Sequence, residues 1–187
     1  MTRPAPVPAG SGPPGSAAPA GHLAAIEEIK RLFAARLRVM DAKRWELYPT
    51  LHTGDVVSET FRRNAEDHSH LPPAQRPGAV VGRAALTAAI RTFLDGPVRV
   101  TSVHHGHQPE ITLTSDTTAT GIWAMEDLLW WTNGDVEEHL HGWGHYHEEY
   151  RRVDGVWLIA YRNLTRLRVD HTPGFFSFPE RSDSSTS

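Results

Sequence analysis

The sequence predicts an α+β fold in which helices come first and long strands follow. Two observations carry this. Residues 23–40 and 82–94 repeat apolar side chains every three to four positions, the spacing of one buried helical face. After Pro97 the period becomes two, the alternation of strands with one buried face. Helices and strands that are segregated along 187 residues suit one α+β domain with tails.

The elements follow in order. Residues 1–21 (MTRPAPVPAGSGPPGSAAPAG) have almost nothing to bury and are expected to be a disordered tail, as are residues 179–187. The folded domain is expected over 22–178. Leu23, Ile26, Ile29, Leu32, Phe33, Leu37 and Met40 mark a first helix ending near Asp41-Ala42-Lys43. Trp45 and Leu47 open a short second helix, which Pro49 should stop. DVVSETF (55–61) reads as a short strand, and 64–79, with Pro72, Pro73, Pro77 and Gly78, as a loop. GRAALTAAIRTFL (82–94) reads as a third helix. Four strands are expected at about 98–114, 117–132, 138–153 and 156–169, the last two joined by an Asp154-Gly155 turn.

Composition excludes several function classes. With 19 basic and 22 acidic residues and a net charge of -3, nothing argues for nucleic acid or an anionic membrane as partner. The absence of cysteine excludes disulfides and thiolate chemistry. No apolar run approaches the ~20 residues of a membrane span, and no signal-peptide core is present, so a cytoplasmic location is expected. Twelve histidines are many for this length and hint at proton or metal chemistry.

The segment HHGHQPEITLTSDTTATGIWAMED (104–127) concentrates that hint. A turn centred on Ser115-Asp116 makes paired positions sum to 231, which sets His104 across from Asp127. The same register gives their face Gln108, Glu110, Ala119, Gly121, Trp123 and Met125, and the other face His105, His107, Ile111, Leu113, Ile122 and Glu126. A carboxylate beside an imidazole fixes its tautomer and raises its basicity, which suits proton abstraction next to a carbonyl. A solvated His–Asp pair on a sheet surface fits the spacing as well. In HLHGWGHYHEEY (139–150), His139, His141, Trp143, His145 and His147 share one face. The ligand spacing of a metal motif is absent, so an outer or dimer-facing surface is favoured over a metal site.

MDAKRWEL (40–47), HHGHQPEITL (104–113), TATGIWAMED (118–127) and EYRRVDGVWLI (149–159) together resemble the SnoaL-like branch of the nuclear transport factor 2-like superfamily. The likeness is nearest to bile acid 7α-dehydratase and more distant to scytalone dehydratase. It implies a cone-shaped α+β barrel, with three N-terminal helices packed on a strongly curved mixed or antiparallel sheet around an apolar pocket. It also implies chemistry without a metal or organic cofactor, and a homodimer or higher homo-oligomer. By this resemblance His104 and Asp127 are catalytic, Asp41 is a second site aspartate, and Arg166 lines the site. Arg36 stands where the bile acid enzyme has its catalytic tyrosine. Met40 and Leu129 stand where scytalone dehydratase has a helix tyrosine and a second pocket histidine. Tyr146 or Tyr48 is left to supply the acid, and Trp123 and Met125 to form pocket wall or core.

The function expected is a cofactor-independent dehydratase or isomerase. Its substrate would be a hydrophobic steroid- or polyketide-like hydroxy-carbonyl compound. His104 would be the base, Asp127 its orienting carboxylate, and Arg166 or Arg36 the stabiliser of an enolate. A cyclase of the same family and a non-catalytic ligand-binding or dimerisation module are the alternatives.

Overall fold

Four long strands and two short ones form a single sheet, seen in a computed structural model that describes residues 20–59 and 71–178. They are β1 (His52–Ser58), β2 (Val80–Val81), β3 (Thr101–Leu113), β4 (Thr118–Asn133), β5 (Val136–Val153) and β6 (Val156–His171). The order is β2-β1-β6-β5-β4-β3, with β1 parallel to β6 and every other pair antiparallel. The sheet is mixed and open. Register shifts in the β3–β4, β5–β6 and β1–β6 pairs bend it, since an extra residue on one strand tilts the ladder. Helices α1 (Ala20–Asp41) and α2 (Arg83–Asp95) pack on this curved sheet, giving the cone-like α+β fold.

Among the described residues two α-helices are present where three were expected. Lys43 takes a left-handed conformation (φ 57°). Its N–H donates to the Met40 carbonyl, and the Arg44 N–H donates to Val39, closing α1 with the six-to-one bond of a Schellman cap. Too few residues then remain before Tyr48 for a second α-helix. A 3-10 turn over Tyr48–Leu51 stands there instead, with Pro49 inside its first positions, where a missing N–H costs nothing. The tails expected at 1–21 and 179–187 lie outside the described residues, apart from Ala20 and Gly21, which already belong to α1. Residues 60–70 also lie outside, and with them the end of the strand expected at 55–61 and the first part of the loop expected at 64–79.

The core lies between the helices and the inner sheet face. Ile29, Phe33, Leu37 and Met40 come from α1, and Leu86, Ile90 and Leu94 from α2. Leu23 is exposed, being too near the start of α1 to reach the sheet. Gly106 brings α1 close, because a Cβ there would sit 2.2 Å from Phe33 Cε1. Phe33 stacks on Trp123 at 3.7 Å between ring centroids.

The β3–β4 register holds at 231 from Thr101 to Gly106 and then shifts by one at a bulge between Gly106 and Pro109. The bulge reverses the faces of everything beyond it. Ile111 and Leu113 therefore pack on the core, and Gln108 and Glu110 are exposed, opposite to the uninterrupted alternation expected. The face containing His139, His141, Trp143, His145 and His147 is the outer one, as alternation predicts.

Candidate active site

Where α1 ends, its last turn lies beside the start of β3. Asp41 and His104 meet there. The His104 Nδ1 lies 2.6 Å from Asp41 Oδ1, and the His104 backbone N–H donates to Asp41 Oδ2 at 2.9 Å. Ser102, two residues earlier on the same face of β3, donates to Asp41 Oδ1 at 2.9 Å and accepts from Lys43 Nζ at 2.6 Å. Burial alone pushes the Asp41 carboxyl up, but the bonds from His104 and Ser102 outweigh it and hold it below the usual carboxylate range. An ionised Asp41 accepts only, so the neutral imidazole carries its proton on Nδ1 and leaves Nε2 as a base.

Asp127 is the Cα partner of His104, as the hairpin arithmetic expects. Its carboxylate is engaged elsewhere, in a bidentate pair with Arg166. Arg166 Nη1 and Nη2 donate to Asp127 Oδ1 and Oδ2, each at 2.6 Å. The side chain that orients His104 is thus Asp41 rather than Asp127. Gly142, next to Asp127 on β5, makes this pair possible. A Cβ at 142 would lie 2.1 Å from Arg166 Nη1 and 2.3 Å from Asp127 Oδ1.

His104, Asp127 and Arg166 border a cavity of about 420 Å³, of a size that encloses a drug-sized molecule. Its wall is largely apolar, with Met40, Leu129, Leu140 and Leu164, and with Ile90, Phe93 and Leu94 of α2. Tyr146 and Arg162 supply the other polar groups at its inner end, while Val169, His171 and Phe176 lie toward its exposed mouth. Trp131 Nε1 donates to the Phe175 carbonyl at 3.0 Å and so fixes the segment that carries Phe176. Burial raises the Tyr146 phenol above its ordinary value, keeping it protonated.

Three expected substrate-binding residues lie elsewhere. Arg36 is fully buried behind the cavity, 3.0 Å from Glu148 Oε1 and 4.5 Å above the Tyr146 ring. Burial works against its charge, but Glu148 and the surrounding tyrosines outweigh that and raise its pKa. It therefore does not touch the cavity that a substrate would fill. Trp123 is core: it stacks on Phe33 and donates from Nε1 to Tyr150 Oη at 2.8 Å. Met125 is buried behind Arg166, with its Sδ 3.8 Å from Nη1.

Sequence reasoning missed Ser102, Lys43, Gly142 and Arg162. Ser102 was accessible through period-two alternation from His104. Arg162 was not. The register shift opposite Glu149 and Tyr150 moves β6 by one residue, so Trp157 and Ile159 point inward before it and Arg162, Leu164 and Arg166 after it. On the outer face Glu126 contacts His141 at 2.5 Å, His105 at 3.5 Å and His107 at 3.9 Å. Among the described residues no group of three or more His, Asp or Glu side chains is arranged to hold a metal.

Solved structures with the same fold include a type 3 hexachlorocyclohexane dehydrochlorinase from Novosphingobium barchaimii. It is 17% identical with a TM-score of 0.65, over 82% of this chain and 94% of that one. A putative scytalone dehydratase from Novosphingobium aromaticivorans is 18% identical with a TM-score of 0.62, over 80% of this chain and 89% of that one. ActVI-ORFA from Streptomyces coelicolor is 19% identical with a TM-score of 0.56, over 76% and 97%. These likenesses support the fold and leave the nearness to bile acid 7α-dehydratase resting on sequence motifs. The SnoaL-like domain profile matches residues 21–163, more than half of the chain, and the protein belongs to the SnoaL-like family.

Proposed function

We propose that the protein is a cofactor-independent lyase that removes water from a hydrophobic hydroxy-carbonyl compound of polycyclic, steroid- or polyketide-like size. One observation carries the reading: His104, bound through Nδ1 to an ionised Asp41, borders an apolar cavity that is otherwise sparsely polar. This is the arrangement of an oriented general base.

In the reaction, His104 Nε2 takes the proton α or vinylogous to the carbonyl. The C–H electron pair moves into an enolate. Arg166, held by both oxygens of Asp127, stabilises the charge that develops on oxygen. Collapse of the enolate breaks the β C–O bond, and the Tyr146 hydroxyl protonates the departing hydroxide to give water. The proton on His104 then returns to the Tyr146 phenolate through solvent, which restores both groups. The base and acid stay in the chain, so the balance needs no redox partner. The dehydrochlorinase and putative scytalone dehydratase of the same fold are named for eliminations, which supports this class of reaction here.

A mass-spectrometric turnover screen tests it, with wild type and His104→Ala against hydroxy-steroids, their acyl conjugates and aromatic polyketide intermediates. Loss of 18 Da with wild type and not with the variant is expected. A product of unchanged mass and altered retention replaces the lyase with an isomerase or cyclase. Binding of a panel compound without any conversion replaces it with a ligand-holding module.

A further inference from the structure

We propose that Arg162 forms an anion subsite at the inner end of the cavity, and that the ligand is a hydrophobic monocarboxylate seated on it. The inference names the substrate class of the lyase reading and rests on that reading for its catalytic meaning. The binding site itself stands on separate observations.

Among the described residues, Arg36, Arg162 and Arg166 lie at or behind the cavity, and two of the three have carboxylate partners. Arg36 faces Glu148, and Arg166 faces Asp127. Arg162 has no carboxylate within ion-pair distance among the described residues. Its guanidinium donates from Nη1 to Tyr48 Oη at 3.0 Å and lies 5.3 Å from the Tyr146 ring, while Nε has no hydrogen-bond partner among the described residues. Only 1% of the residue is exposed, yet it borders the cavity. An unmatched buried cation is costly to keep in a fold, and an incoming anion would remove that cost.

The surroundings limit what the anion can be. Nearby His52 cannot share a proton with it, because burial, and then Arg162 and Arg36, hold the ring neutral, down to about 3. One unmatched guanidinium neutralises one charge, so a carboxylate fits better than a phosphate dianion. Leu164 separates Arg162 from Arg166 along the same face of β6, and the intervening wall is apolar. The acid group and the reacting carbon of the ligand are therefore joined by a hydrocarbon body. A neutral ketone of the same shape would leave Arg162 unmatched.

The test is calorimetric binding of naphthalene-2-carboxylate and naphthalene-2-carboxamide, two probes of one shape and different charge. Wild type is expected to bind the carboxylate about tenfold more tightly or better, since a charge-assisted bidentate bond replaces a neutral one. Arg162→Gln is expected to remove this preference while leaving carboxamide binding unchanged. Arg162→Lys keeps the charge, guards against misfolding of the first variant, and should retain part of the preference. A crystal of wild type with the carboxylate should place its oxygens on Arg162 rather than on Arg166. Equal binding of the two probes, no carboxylate binding at millimolar concentration, or a carboxylate seated on Arg166 overturns the proposal. None of these readouts needs turnover. A preference for the anion in a protein that eliminates nothing would sink the lyase reading and leave the subsite standing.

Discussion

His104 and Asp41 are joined twice, once through the imidazole Nδ1 and once through the backbone N–H of the same residue. The two bonds hold the carboxylate against both the ring and the strand that carries it. Asp127, directly across the ladder from His104, holds Arg166 instead. Two aspartates that look alike in sequence thus have different duties.

Asp41→Asn and Asp127→Asn should therefore separate kinetically. Asp41→Asn removes the acceptor that fixes the His104 tautomer and is expected to lower kcat by roughly 10²- to 10⁴-fold with little effect on KM. Asp127→Asn leaves that tautomer intact and releases Arg166. Its kcat should fall less, with a larger share of the loss in KM. Steady-state kinetics on the substrate found by the turnover screen check this. Wild-type kcat in Asp41→Asn would remove His104–Asp41 as the base.

Tyr146→Phe tests the acid. Among the described residues its hydroxyl has no hydrogen-bond partner, so the fold should be unchanged by circular dichroism. A kcat loss of about 10²-fold or more is expected for a hydroxide leaving group. A substrate analogue with a better leaving group should recover most of the rate, which a purely structural tyrosine would not allow.

Gly142→Ala places a methyl group on the Asp127–Arg166 pair, which must open to admit it. The expected cost is about 1–3 kcal/mol of stability, the usual range for overpacking a filled interior. Thermal unfolding reads this directly. An unshifted Tm would mean that the pair has room to move.

Arg36→Met strands Glu148 in the core. A buried carboxylate without its cation is expected to cost about 3–5 kcal/mol. Adding Glu148→Gln should restore much of the loss, because the remaining Tyr150 Oη to Glu148 Oε2 bond needs no charge. Denaturant unfolding of the single and double variants gives the coupling. Additive losses would show that the two charges do not act as a pair.

His52 gives the protein an acid-side stability slope. Its Nδ1 donates to the Tyr48 carbonyl, and its folded pKa is depressed to about 3 from an ordinary value near 6.5. Below about pH 6.5 the unfolded chain binds a proton there and the folded chain does not. The stability from this residue is thus complete above pH 6.5 and is lost as pH falls toward 3, by up to about 1.4 kcal/mol per pH unit. Urea unfolding from pH 7 to pH 4 should show His52→Gln with a shallower decline than wild type. Parallel curves would place the acid sensitivity elsewhere.

The sequence by itself determined the helix-then-strand order, the hairpin register that sets His104 across from Asp127, and the outward row of histidines on β5. Each is a local pattern: a helical stripe of apolar residues, a turn centre, an alternation of two. These need only backbone geometry and neighbours along one or two strands. The short second helix failed at the same level, because a left-handed Lys43 closes α1 in a conformation that composition does not signal.

The tertiary structure decided which charged groups meet. His104 found Asp41, 63 positions away, because α1 ends against β3, and Asp127 found Arg166 because Gly142 leaves the space between strands empty. Bulges decided the faces of β3 beyond Gly106 and of β6 before Arg162, since one extra residue exchanges inside for outside. Arg162 became part of the cavity wall for the same reason, whereas Arg36 became part of the core because it lies on the buried side of α1. Partners for a buried charge are set by how elements pack, and the residues that pair there carry no shared spacing in the chain.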